Sequence, residues 1–369
     1  MRPGMECVLD VLRGEANRRE APCAEWLDAF RVAEQERILP FFAARLRQSG
    51  AVVPVPILDE ISCVEHEAVQ NSFWWTSELG GILEAFAAAA IPVIPLKGPM
   101  LAERVYGSIA LRESRDLDLL VTRPDIDAGG ALLNKLGFTL EPRPNKFHYR
   151  WHRGTSLVEL HFDVLNQMEF HFDTAGAWKR AKAREFLGQP VRQFAPSDEL
   201  LYLSLHAVRH GFECLSQVLD IALALRLLTP KIDPKAYEHG PAAKLRPLIV
   251  LARAMAMRLD PRGDPGPEIC VRAVTEKHMN NLADRLWTEL LQRPATPLDG
   301  RTEQLFFLAV ESTASGRLLR LARAFYVMVA KLTQKDFDFA AQFGVRQPGL
   351  VRLLRQFRLL ARLCSRNPT

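Results

Sequence analysis

The sequence predicts an α+β protein, a small mixed-sheet core set between helical regions at either end. Three observations predict it. Apolar residues recur at three- and four-residue steps before residue 90 and again after residue 196, the period of amphipathic helices. Between them the pattern changes to short β-branched or alternating runs closed by glycine, the mark of strands and tight turns. The chain of 369 residues, 48% hydrophobic and 25% charged, can bury a sizeable core and excludes collagenous and disordered classes. The expected regions are a helical 1–90, an α/β core 91–195 and a helical 196–369 with a basic last helix.

Each element has its own justification. In Ala24–Arg47, Trp26, Phe30, Ala33, Ile38, Phe41 and Leu46 line a helical face among charges. Pro54 and Pro56 break that pattern. A long helix is expected from Leu58 to about Ala89, with Asp59, Glu60 and Glu65 near its positive end. Ile91–Leu96 reads as a strand running into the Lys97-Gly98 turn, followed by a short helix over Met100–Tyr106. Asp116–Val121 alternates acid and aliphatic residues as a second strand. Asp125–Leu136 is a helix closed by Gly137. Phe147–His152 and Thr155–Asp163 form a hairpin about Arg153-Gly154. Ser197-Asp-Glu carries capping chemistry for a helix ending at Gly211. Further helices are expected at about Leu215–Leu228, Ala242–Leu259, Pro267–Leu291, Arg301–Leu332 and Gly349–Cys364.

Several classes are excluded. The best apolar run, Leu83–Leu96, is interrupted by Glu84, Pro92 and Pro95, so no membrane span is expected. Glu6 and Asp10 stand where a signal peptide is apolar, and the expected location is cytoplasmic. Six scattered cysteines form no CxxC pair and read as idle or buried thiols. There is no GxxxxGK[ST] loop, no GxGxxG, no GxSxG, no RNP-type motif and no zinc finger. The net charge of +5 is uneven: Arg301–Thr369 holds twelve Lys and Arg against four Asp and Glu. That excess suits a phosphate-rich or acidic partner or a solvated helix face. In the last helix Arg352, Arg355, Arg358 and Arg362 oppose a leucine stripe, which fits packing first and nucleic-acid or acidic-partner docking second.

The chemistry gathers in the central region. Residues i and i+2 of a strand face one side, so Asp116 and Asp118 point together while Leu117 and Leu119 enter the core. Paired carboxylates repel unless a cation lies between them. Mg²⁺, which prefers oxygen ligands and shares them with phosphate, suits the pair, with Mn²⁺ as a second possibility. Glu159, in Val158-Glu-Leu-His161, is a third carboxylate placed to complete a second metal position or act as general base. Such a set serves in-line displacement at phosphorus. Gly98 lets backbone approach a phosphate at a helix start, and Lys97, Arg112 and Arg115 are the nearby cations for it. His161 shares the face of Glu159. His206 and His210, at i and i+4 on one helix face, fit the substrate cleft, a packing role or, more weakly, zinc; Asp220 is a possible partner for one of them.

These segments, LKGPMLAERVYG, LRESRDLDLLV, VELHF and LHAVRHGFECLSQVLDIA, resemble the uncharacterised nucleotidyltransferase family of the DNA polymerase β superfamily, from about Trp26 to Leu228. The resemblance implies a nucleotidyltransferase core. It matches Gly98 to the turn glycine, Asp116 and Asp118 to the metal-binding pair and Glu159 to the third carboxylate. It favours cleft roles for His206 and His210. It implies an NTP such as ATP as substrate and an acceptor that is a peptide, a saccharide or a small molecule. The sequence departs from the pattern at Pro99, where the superfamily has Ser or Gly, and in a longer Gly107–Arg115 loop. Pro99 keeps open a second reading, a nucleotide-binding module without turnover that recruits a peptide or nucleic-acid partner. The sequence leaves the oligomeric state open.

Overall fold

In the computed structural model the described residues are 1–142, 147–164, 171–269, 271–293 and 342–343. The chain divides into two compact units, Met1–Leu298 and Asp299–Thr369. The expected helices at Arg301–Leu332 and Gly349–Cys364, with the basic stripe, lie outside the described residues.

The first unit opens with helices α1 (Met5–Arg13), α2 (Cys23–Gln35), α3 (Leu39–Gln48) and α4 (Val55–Ala88). The apolar stretch expected to run through Arg47 breaks between α2 and α3. Arg37 adopts a left-handed φ of 59°, and Pro40, without an N–H, fits only the first turn of the next helix. Pro56 likewise opens α4 rather than preceding it, so the helix starts three residues before Leu58. The carboxylate of Glu36, fully buried at this break, accepts from the Arg2 guanidinium and from the Leu215 N–H.

The sheet contains β1 (Ile94–Pro95), β2 (Leu117–Leu120), β3 (Thr139–Leu140), β4 (His148–Arg153) and β5 (Ser156–His161), in the order β1-β2-β5-β4-β3. Only β2 and β5 pair in parallel, with Asp118 opposite Glu159 and Leu120 opposite His161. Between β1 and β2 lies the single-turn α5 (Gly98–Leu101), continued by a π turn through Tyr106. Helix α6 (Ile126–Lys135) connects β2 to β3. One sheet face is apolar: Leu117, Leu119, Trp151, Val158 and Leu160 pack against Leu79, Ile82, Leu83 and Phe86 of α4 and Leu133 of α6. The other face is polar and faces the helices that follow.

Those are α7 (Thr174–Arg180), a hairpin of β6 (Lys182–Phe186) and β7 (Gln189–Gln193), then α8 (Pro196–Arg209), α9 (Leu215–Leu228), α10 (Gly240–Leu259) and α11 (Ala273–Gln292). The hairpin has a weak signal in the sequence, because Phe186 and Val191 are its buried apolar residues and the rest of its alternation is polar. Leu187 and Gly188, both at positive φ, make its turn. The expected cap of α8 is also different. Ala195 holds the cap position without a side-chain bond. Asp198 instead accepts from Arg180 (2.8 and 2.9 Å) and Glu199 pairs with Arg104. Helix α11 begins six residues beyond the expected Pro267. Among the described residues no helix is long and apolar enough to cross a membrane. Cys7, Cys23, Cys63 and Cys214 are free thiols.

Candidate active site

The polar face of β2, β5 and β4 works as a grid. Strand alternation sends Asp116 and Asp118, Glu159 and His161, and His148 and Arg150 to one side. The parallel register sets Glu159 beside Asp118, and the antiparallel register sets His148 beside His161. All six line one cavity of about 370 Å³, closed from the far side by Tyr202, His206 and His210 of the α8 end and by residues of α9. The parallel register brings the two pairs that alternation sets together, Asp116 with Asp118 and Glu159 with His161, onto one face.

Electrostatics at this face are dominated by three crowded carboxylates. Burial and the neighbouring Asp118 push the Asp116 carboxyl up to about 6, against the pull of Lys97. Burial would raise Asp118 too. Lys97 Nζ at 2.9 Å and the imidazole of His161, whose Nε2 lies 3.1 Å from Oδ1, hold it well below the usual carboxylate range. His161 is pushed up to about 9, its burial outweighed by Asp118 and Glu159. Glu159 is lowered, its burial outweighed chiefly by His161. Cationic side chains thus occupy the places where acids converge, and this donor set fits a divalent cation bound through oxygen.

Lys97 follows β1, and the Leu96 N–H donates to the Asp118 carbonyl (2.9 Å), so the lysine is delivered directly onto the acid pair. Its ammonium also donates to His206 Nε2 at 2.8 Å. An ammonium has no lone pair, so His206 presents an unprotonated nitrogen. Burial and Lys97 hold His206 well below its ordinary value. His210 stacks 4.6 Å from it and is lowered to about 4 by burial and Arg209. Gly98 has φ 64°, which a β-carbon disfavours, and Pro99 occupies the first turn of α5, removing one backbone donor there.

The two loop arginines differ. Arg112 donates through Nε and Nη2 to Asp220 of α9 (2.8 and 2.9 Å), and Tyr106 donates to the same carboxylate at 2.6 Å. Asp220 therefore partners Arg112 rather than a histidine. Arg112 reaches the cavity wall with its fork already engaged, and it ties the 107–115 loop to α9. Arg115 is 60% exposed, 3.6 Å from Glu113, and stands at the cavity mouth.

Sequence reasoning missed His148, Arg150, Tyr202 and Arg209 in the cavity wall. The first two were readable from the alternation of Phe147–Arg153 once the hairpin register is fixed. The others become visible only when α8 is laid across the sheet. Among the described residues His206 and His210 gather no third ligand. Among the described residues the cluster able to hold a metal ion is His148, Glu159 and His161, whose ligand atoms lie within 4.8 Å of one another.

The site thus joins a glycine turn to paired strand carboxylates, with a third acid on the parallel neighbour. The chain belongs to the uncharacterised nucleotidyltransferase family, whose model matches residues 22–257. No curated protein matches the chain significantly. Two solved structures of ANT(2″)-Ia are similar at low identity. One, a solution structure of this antibiotic-resistance factor, is 15% identical and covers 40% of this chain and 81% of that one, with a TM-score of 0.33. The other, a crystal structure in complex with adenylyl-2″-tobramycin, is 16% identical and covers 48% and 97%, also at 0.33. Scores of this size transfer neither residue roles nor substrate.

Proposed function

We propose that the chain transfers a nucleoside monophosphate from an NTP to a hydroxyl or phosphate acceptor, with release of pyrophosphate. The observation that carries this reading is the convergence of Asp116, Asp118 and Glu159 on one cavity from two strands in parallel register. Asp116 and Asp118 would hold Mg²⁺, or Mn²⁺ in its place. Bound there, the ion would supply charge stabilisation for in-line displacement at phosphorus. Lys97 and Arg115 neutralise the polyphosphate, and Gly98 gives it backbone access. Arg112 acts one step removed: it holds the 107–115 loop that leads into Asp116. Glu159 completes the carboxylate set or takes the acceptor's proton. His206, kept neutral, accepts a hydrogen bond from Lys97 and so fixes the ammonium beside the acid pair. The acceptor is a peptide, saccharide or small molecule admitted through the cavity mouth. Free thiols fit a reducing, cytoplasmic location.

Calorimetric titration with an NTP and Mg²⁺ tests the metal assignment. Binding should require the metal and should be lost in Asp118→Ala; unchanged binding in that variant refutes it. A pyrophosphate-release screen over candidate acceptors then tests turnover. Binding without release across the panel favours the recruiting module that Pro99 keeps open.

A further inference from the structure

The three acids are not equivalent, and the difference lies in what surrounds them. Asp116 and Asp118 adjoin one another and Lys97, and Asp118 also meets one imidazole, that of His161. Glu159 adjoins two imidazoles. Its Oε1 is engaged by Arg150 Nε at 3.2 Å, which turns Oε2 the other way. Oε2 then lies 3.6 Å from His148 Nε2 and 3.6 Å from His161 Nε2. Those separations are too long for good hydrogen bonds. They match the edge of a ligand tetrahedron: bonds of about 2.0–2.2 Å to nitrogen and oxygen place neighbouring ligand atoms about 3.3–3.6 Å apart. Asp118 Oδ1 lies 3.1 Å from His161 Nε2, outside this cluster and on the side of the acid pair. The scaffold is stiff as well as convergent. His148 and His161 are direct cross-strand partners, with ring centroids 4.8 Å apart, and both are nearly fully buried. Two imidazole nitrogens and a carboxylate oxygen form a borderline set, which favours first-row transition dications over Mg²⁺.

We infer that His148, Glu159 and His161 form a binding site for a transition-metal dication of the Zn²⁺, Co²⁺ or Mn²⁺ kind, beside the oxygen-only Asp116–Asp118 pair. As the second metal position of the transfer site, it rests on the reading above. As a metal site, it stands on its own geometry. The two positions then differ chemically: one takes the hard ion that accompanies the nucleotide, and the other retains a nitrogen-ligated ion without nucleotide.

The test uses the full chain, stripped with a chelator and titrated with Co²⁺ without nucleotide. Affinity is read by calorimetry and ligation by visible absorption. The wild type should bind one tight equivalent with bands of nitrogen-ligated Co²⁺. His148→Ala and the milder His148→Gln, each checked for folding by circular dichroism, should weaken it by at least about tenfold. Asp116→Asn should leave that affinity within a few-fold. Pulsed electron paramagnetic resonance of the Mn²⁺-loaded wild type needs no variant, and should show coupling to imidazole nitrogen. Equal Co²⁺ affinity in His148→Gln and wild type, or absent nitrogen coupling, overturns the site. So does a loss in Asp116→Asn as large as that in His148→Gln. Histidine-dependent Co²⁺ binding in a protein that binds no NTP supports the site and sinks the nucleotidyl-transfer reading instead.

Discussion

Removing Asp220 should be among the costliest single changes in the first unit. Its carboxylate takes two guanidinium hydrogen bonds from Arg112 and one from Tyr106, and the side chains of Arg112 and Asp220 are only 14% and 7% exposed. Asp220→Ala leaves a desolvated guanidinium without its hydrogen-bonded counter-charge and a buried phenol without its acceptor. Breaking a buried pair from one side costs about 3–5 kcal/mol. The orphaned phenol adds about 1–3 kcal/mol where water does not reach it. Urea unfolding followed by tryptophan fluorescence should show a loss of at least about 3 kcal/mol, and the midpoint temperature should fall by at least about 6 °C, at about 2 °C per kcal/mol. Removing both charges is the control. Arg112→Met with Asp220→Leu and Tyr106→Phe, which removes the charges and the phenol hydroxyl together, should recover most of the loss. An Asp220→Ala variant within about 1 kcal/mol of wild type would mean that water reaches the pair, and the clamp argument fails.

Gly98→Ala should cost about 1–2 kcal/mol through backbone strain alone, because φ is 64° and an added β-carbon meets nothing closer than 3.8 Å; a neutral change in denaturation midpoint refutes this. In Gly130→Ala the new carbon would lie 2.8 Å from Trp151 Cζ2, and overpacking of about 1–3 kcal/mol is expected. Gly81→Ala in α4 meets nothing within 4 Å and should stabilise by about 0.5–1 kcal/mol, so the two alanines should move the midpoint in opposite directions. His210 titrates at about 4 in the fold and near 6.5 unfolded, so the unfolded chain binds its proton first and stability should fall as pH drops from 6.5 to 4. His206, lowered in the same sense, adds to that slope. Denaturation midpoints of His210→Gln across this window should decline less steeply than those of wild type, and parallel declines count against the assignment.

The acid face was legible because two-residue alternation is a strong local signal: Leu117 and Leu119 enter the core, and Asp116 and Asp118 have nowhere else to go. Glu159 and His161 followed for the same reason on their own strand. What sequence could not supply was register. His148 becomes a neighbour of His161 only through the β4–β5 pairing, and Glu159 a neighbour of Asp118 only through a parallel pairing made across about forty residues. Arg112 shows the complementary gap. A loop arginine near a phosphate turn looks available, yet its partner lies on a helix more than a hundred residues away. The missed cap at Ser197 has a similar origin. Asp198 and Glu199 have the right chemistry for a helix start, but Arg180 and Arg104 outbid the backbone.

Helix α4 spans 34 residues, about 51 Å, and serves two neighbourhoods. Its first half packs with α3, and its second half supplies Leu79, Ile82, Leu83 and Phe86 to the rear of the sheet. A fragment beginning at residue 91 would lack one wall of its own interior, and its carboxylates would stand on a sheet with an open back. The N-terminal helices and the reacting face are in this sense a single inheritance: a lesion in one is felt in the other through a shared beam, with no contact to substrate required.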